Sequence, residues 1–513
     1  MKKLLVFLLV CFTSASMFAY TVNQEGCAGF ATKLCGALYI DGVEQFNANL
    51  EIGAFDENGL CRGAATPNYI STSQRYYYQI RLWGVEGMAY TFRVYDHENE
   101  CELDLVDDFG ETITYIGNAY WQYNNANCGP RNFYPINFTH TYTLEIDPYT
   151  GEKDNYYLIA SPVGAVNAEE VQGLMTPAYD LYSYSHTPDD EGKEWINHRD
   201  VADFTLQPGY GYLYANNTGT DLVFIGTGIT EGSYNVDLDY VTDNPDFPNE
   251  SWNLLGNPFC VDATIGDTKP FYRLVGDVLA PQDAGTPIPA MEGFFVNAVE
   301  SGESIQIEVA PQQGNKAPML ALNLSNGGKV VDRAIVSFGQ GQQLPKFQLF
   351  KNSNVYIPMD GNDYALVRSE GMGEMPVSFK AESNGTYSLT LSSENVDFAY
   401  LHLIDNLTGA DQDLLANPSY SFSANTNDYA SRFKLVFATG DNDNSEAFAF
   451  FSNGSLVINN EGNATLQVVD VIGRILKCEN INGCASVNIN AAPGVYIVRL
   501  INGDNMKVQK VVK

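Results

Sequence analysis

Positive charge is scarce in this chain. Its 513 residues include 28 Lys and Arg against 62 Asp and Glu, a formal charge of −34. A broadly basic face is therefore excluded, and with it nucleic-acid binding through phosphate neutralisation. Histidine is scarcer still, with five residues (His97, His140, His186, His198 and His402) spread along the chain. That scatter provides no close Cys/His set at zinc spacing and no ready Ser/His or Cys/His pair for nucleophilic catalysis. The G-x-S-x-G elbow, the H-E-x-x-H helix and the G-x-x-x-x-G-K-S/T loop are all missing, so the most recognisable hydrolase, zincin and nucleotide signatures do not occur. His97-Glu98 opens like a zincin motif but has no second His. Beyond the N-terminus, no apolar run approaches the roughly 18 residues that cross a bilayer as a helix.

Aromatic residues, by contrast, are abundant. There are 32 Tyr and 28 Phe, while charged residues make up only 18% of the chain. An acidic disordered chain would be poor in aromatic and β-branched residues, so this composition predicts folded, strand-rich domains. At roughly 100 to 200 residues per domain, the length predicts about three to five of them.

Residues 1–19 have the layout of a secretory leader. Lys2 and Lys3 precede the apolar run from Leu4 to Phe12, and small residues follow at Ser14, Ala15, Ser16 and Ala19. Eight cysteines lie beyond it: Cys27, Cys35, Cys61, Cys101, Cys128, Cys260, Cys478 and Cys484. Passage through an oxidising compartment makes disulfides their expected use, although eight cysteines allow 105 pairings and spacing does not choose among them. Cys478 and Cys484 bracket an Asn-Gly turn signal; a hairpin there would bring them within disulfide reach, and two unpaired thiols are the alternative.

The predicted fold is all-β: tandem antiparallel β-sandwich (Ig-like) domains followed by a small C-terminal sandwich. Residues 20–140 form the first domain, with aromatic strands at Arg75 to Trp83 and Tyr90 to Tyr95. Residues 141–315 contain an echo: Tyr157 to Val163 recurs as Trp252 to Phe259, and Leu206 to Ala215 recurs as Ile288 to Ala298. One composite domain is expected there, because the spacings of the two copies differ. Residues 316–440 form a third β region with alternating strands at Thr386 to Leu391 and Arg432 to Phe437, and 441–445 read as a linker. The first three regions resemble β modules common in secreted and surface proteins of Bacteroidetes.

At the linker the charge changes. Residues 446–513 carry six basic and five acidic groups, a net of +1, against 20 basic and 57 acidic, a net of −37, for residues 20–445. This last segment contains Asp470-Val471-Ile472-Gly473-Arg474, then Pro493-Gly494-Val495-Tyr496-Ile497-Val498, Gly503, and Lys507 to Lys510. The alternating apolar residues and turn glycines predict a small antiparallel sandwich. The segment closely resembles the type A C-terminal sorting domain of the type IX secretion system, although Phe450 to Gly454 stands where that family often opens with an Asn-Pro turn. The resemblance implies that Asp470, Gly473, Arg474, Gly494, Val495, Tyr496, Gly503 and Lys507 belong to a sorting signal. It also implies as partners the outer-membrane export machinery and a sortase-like peptidase, with surface lipopolysaccharide as an anchor.

No catalytic residue and no bound cofactor is expected. The acid-rich turns Asp237-Leu238-Asp239 and Asp360-Gly361-Asn362-Asp363 offer oxygens to Ca²⁺, but neither has EF-hand length or its closing Glu. Of the four tryptophans, Trp83 and Trp252 sit in apolar strands and are expected to pack inward, while Trp121, in the polar run Tyr120 to Asn125, is the candidate exposed platform for a sugar. The functional expectation is a secreted or cell-surface protein with an adhesive, structural or glycan-binding role, its ligand a glycan or host-matrix component. A secreted β-sandwich hydrolase acting on glycans or peptides is the alternative.

Overall fold

The computed structural model describes residues 19–29, 31–107, 113–117, 134–151, 154–185, 194–199, 201–241, 251–266, 268–311, 317–349, 351–439, 448–452, 454–503 and 505–513. The fold is all-β, and among the described residues there is no helix. Two compact units can be told apart: residues to Leu144 together with 170–172 and 222–228, and the remainder.

The first unit is a sandwich. One sheet runs Leu222–Ile225, Tyr134–Leu144, Ala31–Ile40, Arg75–Trp83 and Asn68–Ile70 in order, and the other runs Ile113–Thr114, Ala89–Asp96, Leu50–Phe55 and Cys61–Ala65. Period-2 patterning explains the layers: in Arg75–Trp83, Tyr78, Ile80 and Leu82 point inward while Gln79 and Arg81 face solvent. They meet Ile52, Phe92 and Val94 of the opposite sheet. The antiparallel expectation fails at one pair. Gly36 to Ile40 lies parallel to Tyr134 to Phe138, so the first and last long strands of the unit are neighbours. A parallel pair needs a long crossover, and the chain between them supplies it by building the second sheet. Strand Tyr134–Leu144 also runs through the domain boundary expected at residue 140, and its end pairs with Leu222–Ile225.

In the second unit the sequence echo becomes a structural repeat. Tyr157–Ile159, Tyr212–Asn216, Tyr179–Tyr184 and Trp195–Asn197 form a four-stranded sheet in that order. Trp252–Gly256, Gly293–Asn297, Phe271–Val275 and Val278–Gln282 form another with the same connectivity. The copies exchange equivalent bonds. Ile159 bridges Glu292, and its counterpart Leu255 bridges Tyr210, the counterpart of Glu292. The Ala160 amide donates to the Met291 carbonyl at 2.9 Å, and the Gly256 amide donates to the Gly209 carbonyl at 3.0 Å. Even the strained positions recur: Asn155 and Ser251 have φ of 53° and 63°, Gly209 and Met291 φ of 84° and 62°. The seam is too close for side chains. A Cβ on Gly211 would lie 2.3 Å from the Leu255 carbonyl oxygen, and one on Gly256 would lie 2.4 Å from that of Tyr210.

The third β region curls one 11-stranded sheet around its own core, with Leu322, Val336, Val355, Val377, Leu389, Leu403 and Leu435 all inside. It too contains one parallel pair, Ile335 to Ser337 against Leu366 to Arg368. Its acids are not confined to solvent. Asp405 is fully buried against Arg432, Nη2 to Oδ2 2.9 Å, and the guanidinium lies 4.5 Å from the Phe422 ring centre. Burial alone would raise the Asp405 carboxyl, but the Arg432 hydrogen bonds and the Leu407 amide outweigh it and hold it below the usual range.

The C-terminal domain is a second true sandwich. Ala449–Ser452, Ser455–Ile458 and Ala485–Asn488 form one sheet; Ile475–Asn482, Asn463–Asp470, Val495–Asn502 and Asn505–Val512 form the other. Leu456, Ile458, Leu466, Val468, Val498 and Leu500 fill the space between. It rests on the third region through Val457 against Ile404 and Val436, and Asn459 Nδ2 donates to the Thr439 carbonyl at 2.9 Å. The expected linker 441–445 lies outside the described residues.

The cysteines depart from expectation. Cys35 is disulfide-bonded, whereas Cys27, Cys61, Cys101, Cys260, Cys478 and Cys484 are free thiols. The Cys478–Cys484 bridge is not formed because its hairpin does not exist. At Gly483 the chain passes from the four-stranded to the three-stranded sheet, leaving Cys478 exposed beside Gln467 while the Cys484 thiol donates to Asn459 Oδ1 at 3.1 Å.

The seam between the repeats leaves no room for a side chain at Gly211. Gly211→Ala should cost about 2–3 kcal/mol in equilibrium unfolding, whereas Gly385→Ala, where a Cβ meets nothing within 4 Å, should change little. Equal midpoints for the two variants would remove the steric argument.

Candidate functional site

The residues singled out by the sorting-domain resemblance divide between two ends of the C-terminal sandwich. Asp470 lies across from Tyr496, and Val495 from Val512, so Asp470, Gly473, Arg474, Gly494, Val495 and Tyr496 share one end. Gly503 makes the turn at the other end with φ of 59°, and Lys507 follows it, opposite Leu500.

The shared end is built around a self-contained turn. Asp470 Oδ1 accepts the Ile472 amide at 3.1 Å and the Arg474 amide at 2.9 Å, and Oδ2 accepts Arg474 Nε at 2.7 Å. Gly473 supplies φ of 90°, a left-handed conformation that a β-branched residue resists. Burial pushes the Asp470 carboxyl up, but its Arg474 contacts and the Ile472 amide prevail and hold it below the ordinary range. The two intervening side chains are thrust into solvent, Val471 72% and Ile472 71% exposed. Ile475, Leu476 and Val512 are exposed as well. The Pro493-Gly494 stretch is pinned beside them: the Gly494 amide donates to the Lys513 carbonyl, and Lys513 Nζ donates to the carbonyls of Ile489 and Ala491. The Tyr496 hydroxyl donates to the Ala492 carbonyl.

A second candidate was not expected from sequence. A cavity of about 300 Å³ opens between the second repeat and the third β region, lined by Gln282, Asp283, Thr286, Arg333, Ser392, Ser393 and Glu394, with Met319, Ala321 and Ile335 as its apolar wall. Arg333 Nε donates to Asn323 Oδ1 at 2.7 Å, and no carboxylate lies within ion-pair distance of its guanidinium among the described residues. Burial, with no acid to offset it, lowers its pKa from the ordinary guanidinium value. Asp283, by contrast, is committed to Arg368, Nη2 to Oδ1 2.6 Å, and to the Ser337 hydroxyl. The signal in the sequence was Asp332-Arg333 between the apolar pairs Val330-Val331 and Ala334-Ile335 of strand Lys329–Ser337. Asp332 has its own cation, Lys346 Nζ at 2.6 Å, whereas among the described residues no acid pairs with Arg333.

Trp121 lies outside the described residues. Trp252 is buried and stacks on Phe347 at 4.6 Å, while Trp195 sits edge-on to Tyr184 at 4.9 Å. Asp360 and Gly361, both with positive φ, form the tight turn between Asn354–Met359 and Asn362–Arg368, and Asp237 and Asp239 close the strand Ser233–Asp237. Among the described residues no group of three or more His, Cys, Asp or Glu is placed to hold a metal ion. The described histidines are dispersed, each on its own partner: His97 on Glu51, His140 on Asp41, His198 on Ser183 and His402 on Asp411.

No protein-family model matches the chain, and no curated protein matches it. Among solved structures, a biofilm associated protein BSP domain is matched over 96% of this chain and 97% of that one, at 10% identity and a TM-score of 0.14. At that TM-score the likeness carries no argument about shape or role.

The turn should respond to acid. A carboxyl whose folded pKa is depressed contributes order above its unfolded value of about 4 and loses it as pH falls through the folded value. Amide resonances of Ile472 and Arg474 should therefore hold their turn positions above pH ~4 and move toward random-coil values below it. Asp470→Asn should remove that titration; an unchanged profile would contradict the assignment to Asp470.

Proposed function

We propose that the chain is a secreted or surface-displayed glycan-binding protein whose C-terminal sandwich is the address read by the type IX export machinery. The observation that carries the export reading is the Asp470 to Arg474 turn. Its polar side chains are spent on the turn itself, and the result is the presentation of Val471 and Ile472 to solvent, where they add nothing to the core. Large apolar side chains held out by a rigid turn suit docking to another protein. The sharp charge change before residue 446 fits the same division of labour, with an acidic passenger and a near-neutral address.

The glycan reading rests on the cavity beside Arg333. Its volume lies at the small end of the range for ligand pockets. Hydroxyl and amide groups of Ser392, Ser393, Thr286 and Gln282 suit sugar hydroxyls, and an arginine without its own carboxylate suits an acidic sugar, whose carboxylate would form a charge-assisted pair with it. The ligand class proposed is a polysaccharide containing uronic acid, bound without turnover.

Two experiments test these readings. Deleting residues 446–513 should leave the protein in the periplasm, and Val471→Asp with Ile472→Asp should lower surface delivery while shifting stability by less than about 0.5 kcal/mol. Undiminished display of the deletion would refute the sorting role. For the cavity, binding to polyuronate but not to a neutral polysaccharide is expected, with Arg333→Gln weakening it about tenfold or more, equivalent to about 1.4 kcal/mol. Equal binding by the variant, or release of reducing ends from the polymer, would overturn that reading.

A further inference from the structure

Glu51 is fully buried in the strand Leu50–Phe55. A carboxylate in that position needs compensation from cations or hydrogen-bond donors. Among the described residues no Lys or Arg lies within ion-pair distance of it; the titratable partner is His97, Nε2 to Oε2 2.7 Å. Its other donors are two backbone amides, Ala19 to Oε2 at 2.9 Å and Tyr20 to Oε1 at 3.3 Å. Those amides flank the peptide bond at which the leader is expected to end.

The segment that follows is locked in place. The Tyr20 ring packs on Phe55 at 5.1 Å and Tyr95 at 6.2 Å, and its hydroxyl donates to Glu102 Oε2 at 2.9 Å. Gly53 forms the floor of this socket, since a Cβ there would lie 2.6 Å from the Tyr20 ring. Further along, the Asn23 amide donates to the Cys61 carbonyl at 2.8 Å, and Arg62 Nη1 donates to the carbonyls of Asn23 and Glu25, each at 3.0 Å. The backbone nitrogen of Tyr20 is thus held against Glu51 by contacts that all lie beyond the leader. Other titratable groups around the pocket include Glu102, Arg93, which pairs with Glu102, Cys61 and the phenols of Tyr20 and Tyr95.

We propose that Glu51 is the receptor for the α-ammonium group created when the leader is removed at the Ala19–Tyr20 bond. The proposal rests on the leader reading of residues 1–19. Hydrolysis adds one water across the bond: the Ala19 carboxylate departs with the leader, and the Tyr20 nitrogen takes up a proton to become a cation with three donors. In both forms His97 stays on Oε2; what the precursor's main chain adds to the buried carboxylate is two neutral amides. The processed chain presents a full positive charge in the same place, and the Ala19 amide it loses is replaced by the added N–H donors of the ammonium. Cleavage therefore completes a buried ion pair, and the first sandwich reaches full stability only after processing. Before it, the chain is the less stable form, which suits passage through an export channel.

The test compares two forms of the chain from Tyr20 to Lys513. One has Tyr20 as its true N-terminus, released by a protease that leaves no extra residue; the other retains Ala19 behind an acetylated extension. The processed form is expected to melt higher by about 4 °C or more in the transition of the first sandwich, and Glu51→Gln should abolish the difference. Should that variant fail to fold, the reactivity of the Tyr20 α-amine toward an acylating reagent near neutral pH provides a second readout, with protection of at least about tenfold over a Tyr-Thr peptide expected from a buried ion pair of about 1.4 kcal/mol or more. Equal melting of the two forms, or an α-amine as reactive as the peptide, would overturn the proposal. N-terminal sequencing of the exported protein tests the leader reading separately: a start at Tyr20 supports both, and a start elsewhere refutes the cleavage position even if the isolated pair forms.

Discussion

The backbone contact between the two repeats is the constraint on which the second unit depends. Isolated four-stranded sheets of this kind would each leave a strand end with unpaired amide and carbonyl groups, at a cost wherever water is excluded. Here each copy supplies what the other lacks, through Ala160 to Met291 and Gly256 to Gly209. The exchange requires main chains to approach more closely than any side chain allows, which fixes Gly211 and Gly256. Leu158, Leu213, Trp252, Leu254 and Phe295 from both copies then share one core with Ile335, Phe347 and Leu366 of the third region. The cavity beside Arg333 exists because the second repeat is held against that region by this shared packing.

Charge is handled differently inside the protein and on its surface. The large acidic excess of residues 20–445 costs little while it faces water. Where acids enter the interior they are matched closely: Asp405 with Arg432, Asp332 with Lys346, Asp56 with Arg62 and Asp283 with Arg368. Such pairs contribute less to stability than their geometry suggests, because desolvation offsets much of the attraction, but breaking one leaves a buried charge unpaired. Among the described residues Arg333 and Glu51 stand apart from this pattern, the former lacking an acid and the latter lacking a Lys or Arg. Those two exceptions are the residues on which the binding and processing proposals rest.

Much of the architecture was legible from patterning. The alternation in Arg75–Trp83, the echo of Tyr157 to Val163 in Trp252 to Phe259, and the turn glycine Gly473 all correspond to local geometry that short-range physics dictates. What was not legible depends on partners far away in sequence. Nothing near Gly36 announces a parallel neighbour at Tyr134, because register is decided by the sheet that forms between them. Glu51, in Leu-Glu-Ile-Gly-Ala-Phe, reads as the solvent face of an alternating strand and is buried only because Tyr20 and His97 close over it. The Asn-Gly between Cys478 and Cys484 is a genuine turn signal, but a turn that changes sheets leaves its flanking residues apart. The same rule holds at the candidate sites: the Asp470 turn is local and was visible, whereas the Arg333 cavity joins residues from four separate stretches of chain and was not.

The parallel pairing of Ala31–Ile40 with Tyr134–Leu144 has a mechanical meaning. Tension that enters the first unit ahead of Ala31 and leaves it beyond Leu144 pulls these neighbouring strands in opposite directions along their length. The five registered pairs from Gly36–Tyr134 to Ile40–Phe138 are then loaded together in shear, instead of being peeled apart one at a time. A unit wired in this way resists stretching far better than an antiparallel hairpin pulled from its open end, and its strength lies along the axis of those two strands.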